Sequence, residues 1–197
     1  AARTNLLALA SCDVPIHEVF DSSAWRASFP EVTTSDVIVD ALFGTGLTRP
    51  LGEPWTTMVH DLNNVNVPIV SIDLPSGLCG DTAEVIGEAI DAEVTVALGA
   101  LKPPLVVTPG AMQAGEVVVA DIGIPARVID GLDRPVISLS TRADAAGFLK
   151  ARARDTHKGD CGRVLIVAGA ARTSGAARLA AAGALRSGAG LVTVATP

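Results

Sequence analysis

The 197 residues suffice for one domain or two small ones, and a hydrophobic content of 49% excludes an intrinsically disordered chain. The net charge of −6 and the pI of about 5.0 argue against a nucleic-acid or anionic-membrane partner. No apolar run approaches the roughly 18 residues that a transmembrane helix needs, so no membrane span is predicted.

Apolar residues recur along the chain at spacings that predict strands alternating with helices. The predicted helices are residues 4–10, 23–29, 53–63, 143–153 and 175–187. The predicted strands are residues 37–42, 67–73, 92–98, 116–121, 136–140, 164–168 and 191–195. Pro30 is expected to end the second helix. The alternation is typical of an α/β protein with a Rossmann-like parallel sheet, helices on both faces and right-handed crossovers.

Two domains are predicted, with a boundary after residue 130. Residues 131–197 begin with a linker that contains Gly131, Asp133 and Pro135, and continue as a strand-helix-strand unit. Such a unit is too small to bury a core alone. Residues 1–10 also look like the middle or end of a helix, so we expect a fragment truncated at both ends.

A predicted strand at residues 37–42 runs directly into a glycine-containing turn, which we call the glycine loop. The loop reads Gly44-Thr45-Gly46-Leu47-Thr48-Arg49-Pro50. Glycine lets the backbone approach a ligand closely, and successive backbone N–H groups can wrap phosphates, with Arg49 adding a charge-assisted contact. The alternative is a plain tight turn with Arg49 as a surface residue.

Two acids accompany the two central predicted strands. Asp40 interrupts an apolar strand, and Asp73 ends the next one. A buried carboxylate persists only when it is paired, hydrogen-bonded or bound to a cation. Because parallel strands deliver their carboxyl ends to one edge of a sheet, these acids predict a site there. The alternative for Asp40 is a carboxylate that caps the following turn.

Three segments together resemble the YjeF N-terminal domain, the NAD(P)H-hydrate epimerase that repairs damaged nicotinamide cofactors. They are Asp40-Ala41-Leu42-Phe43-Gly44-Thr45-Gly46-Leu47, Ser71-Ile72-Asp73-Leu74-Pro75-Ser76-Gly77 and Ala100-Leu101-Lys102-Pro103. Residues 157–166 are similar to the opening of the YjeF C-terminal domain, an ADP- or ATP-dependent NAD(P)H-hydrate dehydratase of ribokinase-like fold. Epimerase followed by dehydratase is the order found in the bacterial bifunctional repair enzymes.

The resemblance implies roles for individual residues. Asp40 and Ser76 would bind potassium, and residues 44–50 would hold the phosphates of NAD(P)HX, the hydrated cofactor. Asp73 would carry proton chemistry or hold the nicotinamide-side sugar, with Lys102 as an acid or electrostatic partner or else a structural residue. Ala176 would line the hydrated-cofactor pocket of the second domain, unless the small residues there only allow tight helix packing. ADP or ATP would serve dehydration in a full-length protein.

Some predictions stay open at this point. A non-catalytic nucleotide- or protein-binding module is the alternative function, and a sugar kinase has only the ribokinase-like tail in its favour. The family's first strand and its asparagine-glycine-rich loop have no counterpart, so we expect weak or absent activity from this chain alone.

The three widely spaced cysteines fit a reduced cytoplasmic protein. We further predict a homo-oligomer; neither the NADHX or NADPHX preference nor the epimerisation route follows from the residues.

Overall fold

The structure is a computed structural model that describes residues 2–10, 12, 14–132, 137–149, 151–170 and 172–197. Contacts between residues divide the chain into two units, Ala1–Asp133 and Arg134–Pro197. This division lies three residues after the boundary that the sequence suggests at residue 130. No helix in the described ranges is long and apolar enough to cross a membrane.

The described residues of the first unit form a parallel sheet of four strands. Its elements in chain order are α1 (Ala2–Ala10), α2 (Ser22–Val32), β1 (Ile38–Asp40), α3 (Trp55–Asn63), β2 (Ile69–Ile72), β3 (Val94–Leu98), two 3₁₀ turns (Pro103–Leu105 and Gly110–Met112), β4 (Glu116–Ala120) and α4 (Ala126–Asp130). The strand order is β1-β2-β3-β4, and every neighbouring pair is parallel. The predicted α/β class with a parallel sheet is confirmed.

Helices α2 and α3 pack on the sheet through an apolar core. Trp25 of α2 and Val59 of α3 lie in one buried cluster with Ile69 of β2, and Ile38 of β1 packs against it. The buried residues of α3, namely Met58, Val59 and Leu62, share one helix face, as expected for an amphipathic helix over a core. Side chains alternate along a strand, so Val39 points away from this core and is 59% exposed. The two helices of this core therefore lie on one face of the sheet.

The three connections between the strands of the first unit differ in structure. Only the β1–β2 connection carries an α-helix, α3. The β2–β3 connection is a loop with an isolated antiparallel bridge between Leu78 and Val85, and the β3–β4 connection contains the two 3₁₀ turns. Glycine and proline are frequent in both connections, and neither residue supports a continuous helix.

The prediction that Pro30 ends the second helix is wrong, because α2 continues to Val32. Proline removes only one intrahelical hydrogen bond at this position, close to the end of the helix. The Thr33 N–H bonds to the Phe29 carbonyl, and the Thr33 and Thr34 hydroxyls donate to the carbonyls of Pro30 and Glu31. These bonds satisfy carbonyl groups of the last turn and so stabilise the end of the helix beyond Pro30.

The second unit is built around two parallel strands. It contains α5 (Arg142–Phe148), β5 (Arg163–Val167), α6 (Gly175–Arg186) and β6 (Leu191–Ala195), with Val164 of β5 paired to Val192 of β6. The strand predicted at residues 136–140 is not observed. Its first residue, Val136, lies outside the described residues, and residues 137–140 form no strand. Ile137 is 83% exposed, so the apolar pattern here does not mark a buried strand.

Helix α5 is shorter than predicted. A capping box starts it, in which Thr141 and Asp144 exchange hydrogen bonds between side chain and backbone. It ends at Phe148 because Leu149 adopts an extended backbone conformation, about five residues before the predicted end. No residue of α5 is buried, so packing does not lengthen the helix.

Candidate active site

Asp40 lies at the carboxyl end of β1, and only 2% of its surface is exposed. One carboxylate oxygen, Oδ2, accepts hydrogen bonds from the Ser71 hydroxyl and the Ser76 backbone N–H, both at 2.8 Å. The other, Oδ1, accepts from the Ser76 hydroxyl at 2.6 Å and from the Leu42 N–H at 3.3 Å. Four donors therefore offset the burial of this charge. Pairing of β1 with β2 places Asp40 directly beside Ser71.

The donor set around Asp40 also fits a hard cation, which takes oxygen ligands. The Ser76 hydroxyl lies 3.3 Å from the Phe43 carbonyl and accepts a hydrogen bond from the Phe43 N–H at 2.9 Å. A carboxylate, a hydroxyl and a carbonyl oxygen thus converge where β1 and β2 end. In the described part of the chain no group of three or more His, Cys, Asp or Glu residues could hold a metal ion, so backbone and hydroxyl oxygens would have to contribute.

The glycine loop follows directly and is largely exposed, with Leu47 only partly buried. It lines an open cavity of about 350 Å³. A Cβ atom built on Gly44 or Gly46 would meet nothing within 4 Å, and neither glycine has a positive φ. The fold of this chain therefore does not require glycine at either position. A ligand that contacts the backbone closely would require it, because glycine has no side chain to block the approach. Arg49 is exposed and forms no salt bridge within the described ranges.

Asp73 follows β2 and pairs with Lys102. Its backbone is left-handed, with φ of 72°, an uncommon conformation for a residue other than glycine. The carboxylate Oδ1 accepts hydrogen bonds from the Leu98 N–H at 3.0 Å and from the Lys102 ammonium, which also donates to the Leu98 carbonyl at 2.9 Å. The two side chains are 21% and 20% exposed. A carboxylate and an ammonium group are thus held together and remain accessible to solvent.

The structure brings the predicted site residues together as two pairs. Asp40 contacts Ser76, and Asp73 contacts Lys102. Since Asp73 and Ser76 are three residues apart in the segment after β2, both pairs lie on the carboxyl-end side of the sheet. Ala176 lies in the second unit, exposed in the first turn of α6, and its neighbour Ala177 is the buried residue of that helix.

Sequence reasoning missed two residues near this edge. Ser71 is fully buried in β2 and bonds to Asp40; a hydroxyl residue between two apolar residues of a strand is the only signal in the sequence. Cys79 lies in the β2–β3 connection. The Thr82 hydroxyl and then the Asp81 N–H, by hydrogen bonding to its sulfur, lower the pKa of Cys79 below the usual thiol value. No local sequence pattern predicts the lowered pKa of Cys79.

Comparison with known proteins identifies relatives that cover most of the chain. A family model described as YjeF-related protein N-terminus matches residues 1–104. The bifunctional NAD(P)H-hydrate repair enzyme Nnr of Thermofilum pendens is 37% identical over 179 residues, which are 91% of this chain and 33% of that protein. The enzyme of the same name from Moorella thermoacetica is 42% identical over 166 residues, which are 83% of this chain and 31% of that protein. The crystal structure of yeast ynu0 aligns with 59% of this chain and 49% of the yeast chain, with a TM-score of 0.45 at 24% identity.

The chain spans about one third of the length of the curated relatives that it matches. The match of 179 residues is longer than the first unit, so it includes residues of the second unit as well. The family model, in contrast, ends within the first unit, shortly after Lys102.

Proposed function

Because this chain belongs to the family of YjeF-related protein N-termini, we propose that its first unit interconverts the R and S epimers of NAD(P)HX. The relatives are named NAD(P)H-hydrate repair enzymes. Epimerisation is the step of that repair for which the first unit has an acid and a base, Lys102 and Asp73. The observation that carries the proposal is the Asp73–Lys102 pair at the same edge of the sheet as a glycine loop whose glycines the fold itself does not need.

The Asp73–Lys102 pair supplies a base and an acid. Epimerisation at a carbon that bears a hydroxyl group changes no oxidation state. It proceeds either by ring opening or by loss and re-addition of hydroxide, and each route needs one group to accept a proton and another to donate one. The Asp73 carboxylate is the acceptor and the Lys102 ammonium is the donor. Both hydrogen-bond to the backbone of Leu98, which holds them in a constant geometry.

The glycine loop holds the phosphates in this proposal. Its exposed backbone can present N–H groups to an anion without interference from side chains at Gly44 and Gly46, and Arg49 adds a positive charge. Asp40, Ser76 and the Phe43 carbonyl would hold potassium, which when bound supplies positive charge near the phosphates. A non-catalytic binding module would use the same loop and would have no need of the Asp73–Lys102 pair.

Substitution of Asp73 by asparagine tests the proposal. Epimerisation of R-NADHX, followed by NMR with potassium and with sodium, should be about 100-fold slower or worse in Asp73→Asn because the base is lost. Asp36→Asn removes an exposed acid outside the site and should leave the rate unchanged. Equal rates in wild type and Asp73→Asn would refute the role of Asp73 as the base, and no epimerisation by either this chain or a protein of the relatives' full length would favour the binding module. A rate seen only in a protein of the relatives' full length would assign the activity to the longer chain.

Further proposals concern the longer protein and its assembly. We propose that a protein of the relatives' length couples epimerisation to ADP- or ATP-dependent dehydration of S-NAD(P)HX, with Ala176 near the hydrated cofactor. We also propose a cytoplasmic homo-oligomer. Val39 and Val118, 59% and 46% exposed, are apolar area that self-association would cover. Analytical ultracentrifugation of the wild-type chain measures the oligomeric state directly.

A further inference from the structure

Gly80 lies in close contact with the glycine loop. It is buried in the β2–β3 connection. A Cβ atom added to it would lie 2.9 Å from the Cα and 3.0 Å from the Cβ of Thr45. The φ of Gly80 is not positive, so its backbone conformation does not call for glycine. What calls for glycine is the approach of the Thr45 backbone.

The segment that carries Gly80 is firmly held. Residues 77–87, which we call the support loop, are closed by hydrogen bonds from the Cys79 N–H to the Glu84 carbonyl and from the Ile86 N–H to the Gly77 carbonyl. The Leu78 side chain is 1% exposed. The Gly110 N–H bonds to the Ala83 carbonyl at 2.8 Å and so connects the support loop to the β3–β4 connection. These contacts leave Gly80 little freedom to move.

The glycine loop has much less support of its own. Six of its seven residues are exposed, and only Leu47 is partly buried. Besides Gly80, the support loop contacts it at its end, where a Cβ on Gly87 would lie 3.4 Å from the Pro50 Cβ. We expect an exposed loop that lies against a more buried one to take its position from the more buried one.

We propose that Gly80 is a positioning residue that sets the place of the glycine loop and thereby the affinity of the site for the diphosphate group of its substrate. The inference rests on the proposed function in that it takes the glycine loop as the phosphate-binding segment. Gly80 acts through Thr45 and touches no substrate. An added methyl group pushes Thr45 outward, while Asp73 and Lys102, which both hydrogen-bond to Leu98 of β3, keep their places.

Gly80→Ala tests the inference in two measurements on the whole chain. Inorganic pyrophosphate is titrated into ¹⁵N-labelled protein, and its Kd, from the amides of residues 44–49, should rise about tenfold. The KM for R-NADHX should rise by a similar factor with kcat unchanged, because the acid and the base are not displaced. Gly183→Ala, at a helical glycine of the second unit where a Cβ would meet nothing within 4 Å, is the matched control and should change neither.

A double variant keeps the test independent of general damage to the fold. Thr45→Gly removes the Cβ that would lie 3.0 Å from the new methyl group, and the freer backbone of glycine lets the Cα at 2.9 Å and the carbonyl oxygen at 3.1 Å yield. Gly80→Ala should therefore weaken pyrophosphate binding less in that background than alone. An equal loss of affinity in both backgrounds, or an unchanged Kd in Gly80→Ala, overturns the inference. It is also overturned if the amide signals of residues 44–49 do not shift when pyrophosphate is added to the wild type. If the wild type binds pyrophosphate through residues 44–49 but neither this chain nor a protein of the relatives' full length epimerises NADHX, the proposed function is refuted and this inference stands.

Discussion

Asp40 illustrates at the scale of single residues how this chain keeps a carboxylate inside a sheet. Its two oxygens receive four hydrogen bonds, two from serine hydroxyls and two from backbone N–H groups. Three of the four donors belong to β2 and the segment after it, so the position of Asp40 depends on the pairing of β1 with β2. A potential cation ligand is therefore pre-positioned by the sheet rather than by its own loop.

Ser71→Ala should destabilise the protein by about 1–3 kcal/mol, because it leaves one lone pair of a buried carboxylate without its donor. Urea denaturation followed by tryptophan fluorescence measures this, since both tryptophans lie in the first unit. Ser23→Ala, at an exposed position near the start of α2, is the control and should fall within about 0.5 kcal/mol of the wild type. A Ser71 variant as stable as that control would show that the hydrogen bond to Asp40 contributes nothing.

At neutral pH, Cys79 should react with iodoacetamide faster than a thiol of ordinary pKa, because hydrogen bonds from Thr82 and Asp81 stabilise the thiolate. Thr82→Val raises the pKa, so at pH near 7 the thiolate fraction falls and alkylation slows by roughly two- to tenfold. Above both pKa values the two proteins should react alike. Mass spectrometry over a pH series measures the rate, with exposed Cys12 in the same sample as reference. Identical pH profiles for wild type and variant would contradict the assigned cause.

At the scale of elements, side-chain contacts connect α2 and α3 to each other and to neighbouring segments of the first unit. The indole N–H of Trp25 in α2 donates to Asp61 of α3 at 2.8 Å. Asn63, the last residue of α3, donates to the Ala89 carbonyl and accepts from the Asp91 N–H, so it ties α3 to the chain just before β3. The Phe43 ring meets Trp55 at the start of α3 edge-on, with 5.5 Å between ring centroids. The end of β1, where the glycine loop begins, is thereby anchored to α3.

Asp21→Ala should cost about 1 kcal/mol of stability through loss of the N-cap of α2. The Asp21 carboxylate accepts hydrogen bonds from the N–H groups of Ser23 and Ala24, both at 2.8 Å, and no other side chain caps this helix. Thermal unfolding followed by circular dichroism measures the change. Glu18→Ala removes an exposed acid three residues earlier and controls for net charge. If the two variants lost equal stability, the effect would come from charge and not from capping.

At the scale of the whole molecule, the two units each have their own sheet and their own buried residues. In the second unit Ala177 is the buried residue of α6, and its Cβ would lie 3.5 Å from a Cβ placed on Gly169 after β5. Helix α6 contacts both β5 and β6. The site residues Asp40, Asp73 and Lys102 all belong to the first unit.

Ala177→Asp should loosen the second unit and leave the first intact, because it places a larger, charged side chain at the buried position of α6 beside Gly169. Hydrogen exchange measured by mass spectrometry should show faster exchange in β5, α6 and β6, with unchanged protection in β1–β4. Ala176→Asp, at the exposed neighbouring position, is the control. Faster exchange throughout β1–β4 in Ala177→Asp would show that the units unfold together.

The fold class and the central strands were predictable because their signals are local. A run of β-branched residues next to a glycine turn predicts β1 and the glycine loop, and the same pattern places β2 before Asp73. Element ends were less predictable. Pro30 lies inside α2, because side-chain hydrogen bonds stabilise the end of that helix. Residues 137–140 form no strand, and a strand needs a partner to pair with. Neither property can be inferred from a few consecutive residues.

The sequence by itself determined that this is an α/β protein with acids at the carboxyl edge of a parallel sheet, because alternation and composition are properties of neighbouring residues. Only the tertiary structure decided which groups meet there. Ser71 lies 31 residues from Asp40, Lys102 lies 29 residues from Asp73, and Gly80 meets Thr45 across two loops. Such contacts arise from strand register and from how closely two backbones approach, and both depend on the packing of the entire sheet.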